Sequence, residues 1–221
     1  MSAFLLRYGV TNPTSYSTAF PATEDPISES GSWRTSVNFY KAPRSTPGKC
    51  FANAPTDSFD DAIGQLISPQ LGNNHSVRTT VFRQGGYTTG VTHEIGHYLR
   101  VLIDNSNPSN TLIRGYEMLF PFDSTSFQMV AWLAVNHSFP DNFTILNPTA
   151  VNGGLANVQN GDVLESRIVG NLITVYQNGT QIYTLTDSTW TNGGGPGIGF
   201  YANTGATPAS FCISDYQAMT L

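Results

Sequence analysis

The chain has 221 residues, a formal net charge of −5 and a pI near 5.2, with only 11% charged residues. That length suits one sizeable folded unit, taken here as a single domain over residues 1–221. The acidic balance argues against nucleic acid or an anionic membrane as partner, and no run of about 18 apolar residues is present to insert into a bilayer.

The opening MSAFLLRYGV carries one arginine and a four-residue apolar patch, too short for a signal peptide. Cys50 and Cys212 are the only cysteines, so one long-range disulfide is open to them. Helical periodicity is scarce. DSFDDAIGQLISPQL (residues 57–71) is the one short candidate, and Pro69 would end it. The remainder reads as strands over residues 36–40, 76–83, 91–103, 113–120, 127–135, 163–169, 172–177, 181–186, 197–201 and 211–217, separated by Gly-, Asn- and Pro-rich turns.

Within residues 91–103 the letters His93-Glu-Ile-Gly-His97 match the H-E-x-x-H signature of zinc peptidases. That signature chelates zinc only on a helix, where residues four apart share one face. The surrounding stretch, VTHEIGHYLRVLID, instead alternates with period two, and its glycine and β-branched residues suit a strand. Two histidines four apart on a strand are separated by about 13 Å, too far for one ion. No third histidine follows at the metzincin spacing, and Glu117, twenty residues on, lies in another strand-like run. The strand reading therefore displaces the zinc reading.

The loop at residues 105–110 pairs this strand with residues 113–120 so that opposing numbers sum to about 215. Leu99, Val101 and Ile103 then share a core face with Tyr116, Met118 and Phe120. The next turn gives a sum near 247, which adds Met129, Ala131, Leu133 and Val135 to that face. The opposite face collects Glu94, Tyr98, Arg100, Glu117, Gln128 and Trp132, with Tyr98 beside Glu117 and Arg100 beside Gly115. Aromatic rings stack on sugar rings, and planar charged or amide groups hydrogen-bond hydroxyls, so this set suits a carbohydrate. The structural alternative is a set of ordinary cross-strand pairs on a solvated sheet, with Arg100–Glu117 a surface ion pair.

Further along, Gly170-Asn171 and Asn178-Gly179 join three consecutive strands into a meander, and GGGPGIGF (residues 193–200) re-enters the sheet through glycines. The run NGDVLESRIVGNLITVYQNGTQIYTLTDSTWTNGGGPGIGFYANTG, followed by FCISDYQAM, resembles the C-terminal half of the concanavalin A-like, laminin-G-like jelly rolls of the lectin/glucanase superfamily. The resemblance covers residues 160–218 and implies an all-β, antiparallel two-sheet β-sandwich whose concave face binds or cleaves saccharides. It also implies a structural Ca2+ held by Asp215 with main-chain carbonyls of SESGSW (residues 28–33).

Non-catalytic binding and catalysis both stay open. Glu94 and Glu117 are offset by about four residues, roughly 13 Å, beyond the spacing of either glycosidase class. A lyase would need a Tyr or His base and an Arg, Gln or His to neutralise a uronate, types that Tyr98, Arg100, Gln128 and His137 supply; if the protein is an enzyme, the catalytic candidates are Glu117, Tyr98, Arg100 and His137. The expectation is an extracellular or secreted protein that binds a polysaccharide or oligosaccharide through Glu94, Tyr98, Arg100, Glu117, Gln128 and Trp132. The alternatives are a polysaccharide lyase or glycoside hydrolase, a structural or adhesion module, and the displaced zinc peptidase.

Overall fold

The computed structural model describes residues 13–36, 41–52, 60–84, 93–107, 111–122, 127–135, 143–147, 158–202 and 211–221. Among these the chain forms fifteen strands and no helix: β1 (Ser15–Thr18), β2 (Trp33–Thr35), β3 (Arg44–Thr46), β4 (Lys49–Phe51), β5 (Asp60–Leu66), β6 (His75–Arg83), β7 (His93–Asp104), β8 (Leu112–Pro121), β9 (Gln128–Val135), β10 (Phe143–Ile145), β11 (Val163–Val169), β12 (Leu172–Gln177), β13 (Thr180–Thr186), β14 (Gly195–Ala202) and β15 (Phe211–Thr220). They build two antiparallel sheets. The first has the order β13-β12-β11-β6-β15-β4-β3, with β1 also on β15; the second runs β10-β9-β8-β7-β14-β5-β2.

The meander β11–β12–β13 forms at the turns the sequence marks. Gly170, Asn178 and Gly179 all take left-handed backbone, as tight hairpins of this hand require. Leu164, Ser166 and Ile168 alternate inward along β11, while Glu165 and Arg167 pair on the outside. The inward residues of both sheets make one apolar core, with Val77, Leu164 and Ile173 from the first sheet and Leu99, Tyr116, Met118 and Phe120 from the second. Each such side chain contributes about 1.5–3 kcal/mol on burial.

Three polar side chains cross this core. His97 spans the gap between the sheets, with its Nε2 2.8 Å from Thr79 Oγ1 and its Nδ1 3.0 Å from Ser166 Oγ. His75 Nδ1 lies 2.8 Å from the Gly72 carbonyl, and its Nε2 accepts the Arg100 backbone N–H at 3.2 Å, so the Nδ1–H tautomer donates to Gly72. The Arg100 guanidinium donates to the carbonyls of Asn73, Trp190 and Gly170 at 2.9, 2.7 and 2.6 Å. The HEIGH segment is strand throughout: His97 faces the core and the His93 ring packs on Phe211 at 4.1 Å, so no shared metal site forms between them.

The expected pairings hold on one side of β7 and fail on the other. Tyr98 pairs with Glu117 and Gly115 with Trp132, as the sums of 215 and 247 require. A β-bulge between Leu99 and Leu102 then shifts the register, with Arg100 in left-handed backbone at φ 52°. Arg100 consequently turns in between the sheets instead of lying beside Gly115 on the outer face. Val101 and Ile103 move the opposite way. They join Ile63, Tyr98, Ile113, Leu119, Val130 and Trp132 in a second buried apolar cluster on the far face of the second sheet. Leu133, assigned to the core, is 55% exposed.

Residues 57–71 hold strand β5, not a helix, over their described part: Ala62, Ile63 and Leu66 are buried between β14 and β2, and sheet pairing overrides the short helical pattern. Of residues 36–40 only Ser36 lies among the described residues, and it is not strand. Cys50 and Cys212 are both buried thiols without a disulfide. Cys50 pairs with Ile213 on the core side of the first sheet, which turns Cys212 to the outer side.

Replacing Arg100 with Gln strands carbonyls that a buried guanidinium now satisfies. Urea unfolding is expected to show a loss of roughly 3–5 kcal/mol. A loss below about 1 kcal/mol would remove Arg100 from its structural role.

Candidate functional site

On the far face of the second sheet, strand register sets the side chains in rows. Glu94 of β7 stands opposite Tyr201 of β14; Gly96 is opposite Gly199; Tyr98 lies between Gly197 and Glu117; and Gly115 of β8 faces Trp132 of β9. The glycines form the floor. A Cβ on Gly199 would sit 2.4 Å from the Tyr98 ring, and one on Gly96 would sit 2.3 Å from Glu117 Oε1. The Tyr98 ring and the Glu117 carboxyl therefore lean over backbone that carries no side chains. That lean brings Glu117 toward Glu94, two residues beyond Gly96 on the same face.

The register keeps the four-residue offset, with Glu94 opposite Pro121 and Glu117 opposite Tyr98. The Glu117 carboxyl leans back over Gly96, and the Glu94 charge adds a small upward push to its proton affinity. Trp132 Nε1 donates to Glu117 Oε2 at 2.6 Å. Burial raises the Glu117 carboxyl well above the usual carboxylate range, the Glu94 charge raises it further, and hydrogen bonds from Tyr98 and Trp132 pull it part of the way back. Burial alone lifts Glu94 to about 7.

The face is not an open aromatic platform. Trp132 is 4% exposed, Tyr98 1% and Glu117 2%, and Phe143 of β10 packs on Trp132 at 5.1 Å between ring centroids. The groups that remain half-exposed are Glu94, Gln128 and Tyr201. Of the six residues assigned to this face, the structure brings together Glu94, Tyr98, Glu117 and Trp132, sets Gln128 opposite Leu119 on the same sheet, and removes Arg100 to the core. His137 lies outside the described residues. Tyr201 and the glycine floor were missed, although the alternation Gly197, Gly199, Tyr201 in PGIGFYA carries them once β14 is placed beside β7.

Asp215 lies on β15 on the other sheet, opposite Thr80 and next to a register shift. Its Oδ1 is buried without a hydrogen-bond partner. It alternates away from Tyr216, whereas residues 28–33 approach from the Tyr216 side, through Trp33 at 4.9 Å. The Ser28 carbonyl already accepts from Gly31 and Trp33, and the Glu29 carbonyl from Ser32. Among the described residues no three His, Cys, Asp or Glu side chains cluster to hold a metal.

No protein-family model matches the sequence, and no curated protein sequence does. Solved structures do match. The metal-free carbohydrate recognition domain of Emp46p is similar at 13% identity over 92% of this chain and 95% of that one, with a TM-score of 0.56. The VIP36 exoplasmic/lumenal domain, in its Ca2+/Man3GlcNAc-bound form, matches at 12% identity over 90% of each chain with a TM-score of 0.51. The Bacillus licheniformis β-glucanase matches at 12% identity over 94% of this chain and 98% of that one, with a TM-score of 0.50. The chain has the lectin/glucanase jelly-roll fold, as its C-terminal third indicates.

The buried titratable groups set opposing pH limits on stability. Glu94 and Glu117, protonated in the fold, contribute stability that is complete below their ordinary value of 4.5 and is lost as pH rises through about 7 and beyond. His97 and His75, lowered by burial to about 3 and about 4, contribute stability that is complete above their ordinary 6.5 and is lost as pH falls toward those values. Thermal midpoints should therefore be highest between about pH 4.5 and 6.5 and decline on both sides, with Glu117→Gln flattening the alkaline decline. A midpoint that climbs steadily from pH 6 to 9 would contradict the buried protonated carboxyls.

Proposed function

We propose that this protein binds a carbohydrate on the face of the second sheet that carries Glu94, Tyr98, Glu117, Gln128 and Trp132, with Tyr201 added to the set. The observation that carries the reading is the convergence of two carboxyl groups and aromatic rings over the Gly96–Gly199 floor. A protonated carboxyl both donates and accepts hydrogen bonds, a carboxylate accepts two, and an amide does one of each at a fixed angle, which together suit vicinal hydroxyls. Glu94, Gln128 and the Tyr201 ring are the groups a sugar would meet. Trp132 and Tyr98 act beneath them by holding Glu117 in place.

A second reading, bond cleavage, is favoured by one specific feature. Two carboxyl groups on one sheet face, both with raised proton affinities, supply the chemical types of a general acid and a base. The solved lectins and the glucanase of this fold support a saccharide partner in either case, and an extracellular or secreted setting accompanies a polysaccharide partner. The buried, unpaired Oδ1 of Asp215 fits an oxygen-seeking cation such as Ca2+ held with main-chain oxygens, structural in role and on the other sheet from the carbohydrate face.

A panel of neutral and uronic polysaccharides, scored for both retention and cleavage, tests the reading. Retention on at least one is expected, weakened about tenfold or more in Glu94→Gln and Tyr201→Ala, both keeping a cooperative thermal transition. New reducing ends would mark a hydrolase, and ultraviolet-absorbing unsaturated ends a lyase. Neither retention nor cleavage across the panel would overturn the proposal and leave a structural or adhesion module.

A further inference from the structure

A cavity of about 380 Å³ opens at the end of the second sheet, where β5 finishes and β14 begins; Arg34, Gln65, Leu71, Asn73, Leu102 and Gly194 line it. Its size is at the low end of ligand pockets, roughly 300–1,000 Å³, which suits one sugar-sized unit and not a chain of them. It is distinct from the Glu94–Glu117 pair. Gln65 lies on the row of Gly197 and Tyr98, and Arg34 pairs with Gln65 at the β2 edge of the sheet.

Gln70 also lines the cavity, and two further amides there are oriented by backbone groups. Gln65 Oε1 accepts the Ile103 backbone N–H at 2.9 Å, and Asn73 Oδ1 accepts the Gly193 backbone N–H at 3.1 Å. A backbone N–H can bond only to the oxygen of an amide, so both side chains are fixed in orientation, with the NH2 group left to donate elsewhere. Arg34 Nη1 donates to the Ile103 carbonyl at 3.1 Å, which uses one of the five N–H donors of a guanidinium. Three side chains thus bring donors to the lining of one space. Gln65 is 5% exposed and is held together with Arg34 by the two backbone groups of Ile103, so half of this arrangement is fixed before any ligand arrives. Asp104 is the acid that senses the Arg34 charge; its Oδ1 accepts from the Ser106 N–H.

We propose that this cavity binds a carboxylate-bearing ligand the size of a single sugar-acid residue, with the carboxylate on the Arg34 guanidinium and on the Gln65 and Asn73 amides. A planar guanidinium beside two amide donors matches the acceptor-only edge of a carboxylate, whereas a neutral hexose brings no charge to the guanidinium. Gly194 completes the shape. It has left-handed backbone at φ 81°, and a Cβ there would lie 2.3 Å from the Arg100 carbonyl oxygen, so no side chain can fill this corner. The inference does not depend on the Glu94 face, because a monosaccharide probe reports on the pocket by itself.

The test is an NMR titration of the full chain with D-glucuronate, D-galacturonate, D-glucose and acetate, following the side-chain NH2 signals of Gln65 and Asn73. Saturable shifts with at least one uronate are expected, with glucose and acetate each at least roughly tenfold weaker. Asn73→Asp keeps the acceptor for Gly193 and replaces the donor with a negative oxygen at an exposed position. It should fold normally and weaken uronate binding by at least roughly tenfold. Arg34→Gln should do the same through loss of the cation. Equal binding of glucose and uronate would overturn the carboxylate claim, equal binding of acetate would overturn the sugar-sized claim, and no saturable shift, or an undiminished one in Asn73→Asp, would overturn the site.

Discussion

The bulge between Leu99 and Leu102 governs much of this molecule. A strand that kept strict alternation through β7 would put Arg100 on the outer face and Val101 and Ile103 into the core. One residue in left-handed backbone reverses both, at a cost of about 1–2 kcal/mol for a non-glycine side chain. The guanidinium that enters the sandwich offsets this by closing three carbonyls drawn from three separate segments, residues 73, 170 and 190. The neighbouring strands are shaped around the same point. A Cβ on Gly115 would meet the Val101 α-carbon at 2.7 Å, and one on Gly194 would meet the Arg100 carbonyl oxygen at 2.3 Å. The bulge, its buried cation and these two glycines form one unit.

Its chief consequence is that the second sheet is buried on both faces. Apolar residues displaced from the core by the bulge assemble beside Tyr98 and Trp132, and Glu117 comes to rest in a dry setting on the same face as the half-exposed Glu94. An acid in such a place keeps its proton at neutral pH, because the solvation it would need as an anion is missing. The same burial that makes Glu94 and Glu117 a burden to the fold near pH 8 gives them the proton affinities that recognition or catalysis can use. Trp132 and Tyr98 serve here as holders of a carboxyl group, a different role from the stacking platform that their residue types suggest.

How far the sequence discloses all this depends on the kind of signal. Period two across HEIGH is legible, because a strand places His97 inward and Glu94 outward whatever the letters spell. The registers of β7 with β8 and of β8 with β9 are legible too, since short loops fix the sums and one face must be apolar. The bulge is not, because neither glycine nor proline marks Arg100 and the strain is carried by contacts far along the chain. Strands of three or four residues, such as β2, β3 and β4, are too short to show any period. Segment 60–66 reads as helix locally and becomes strand only because β14 and β2 flank it. At the site, residue types and face were within reach, but side-chain reach was not. The approach of Glu117 to Glu94 depends on Gly96 and Gly199 being empty, a relation among three strands.

The two cysteines carry a last consequence. Cys50 and Cys212 lie on neighbouring strands, but one faces the core and the other the outside of the same sheet, so joining them would require β15 to come away from β4. The sandwich therefore owes nothing to oxidation. Its two sheets are bridged by a guanidinium and two imidazoles set within a shared apolar core, and none of these interactions responds to thiol reductants.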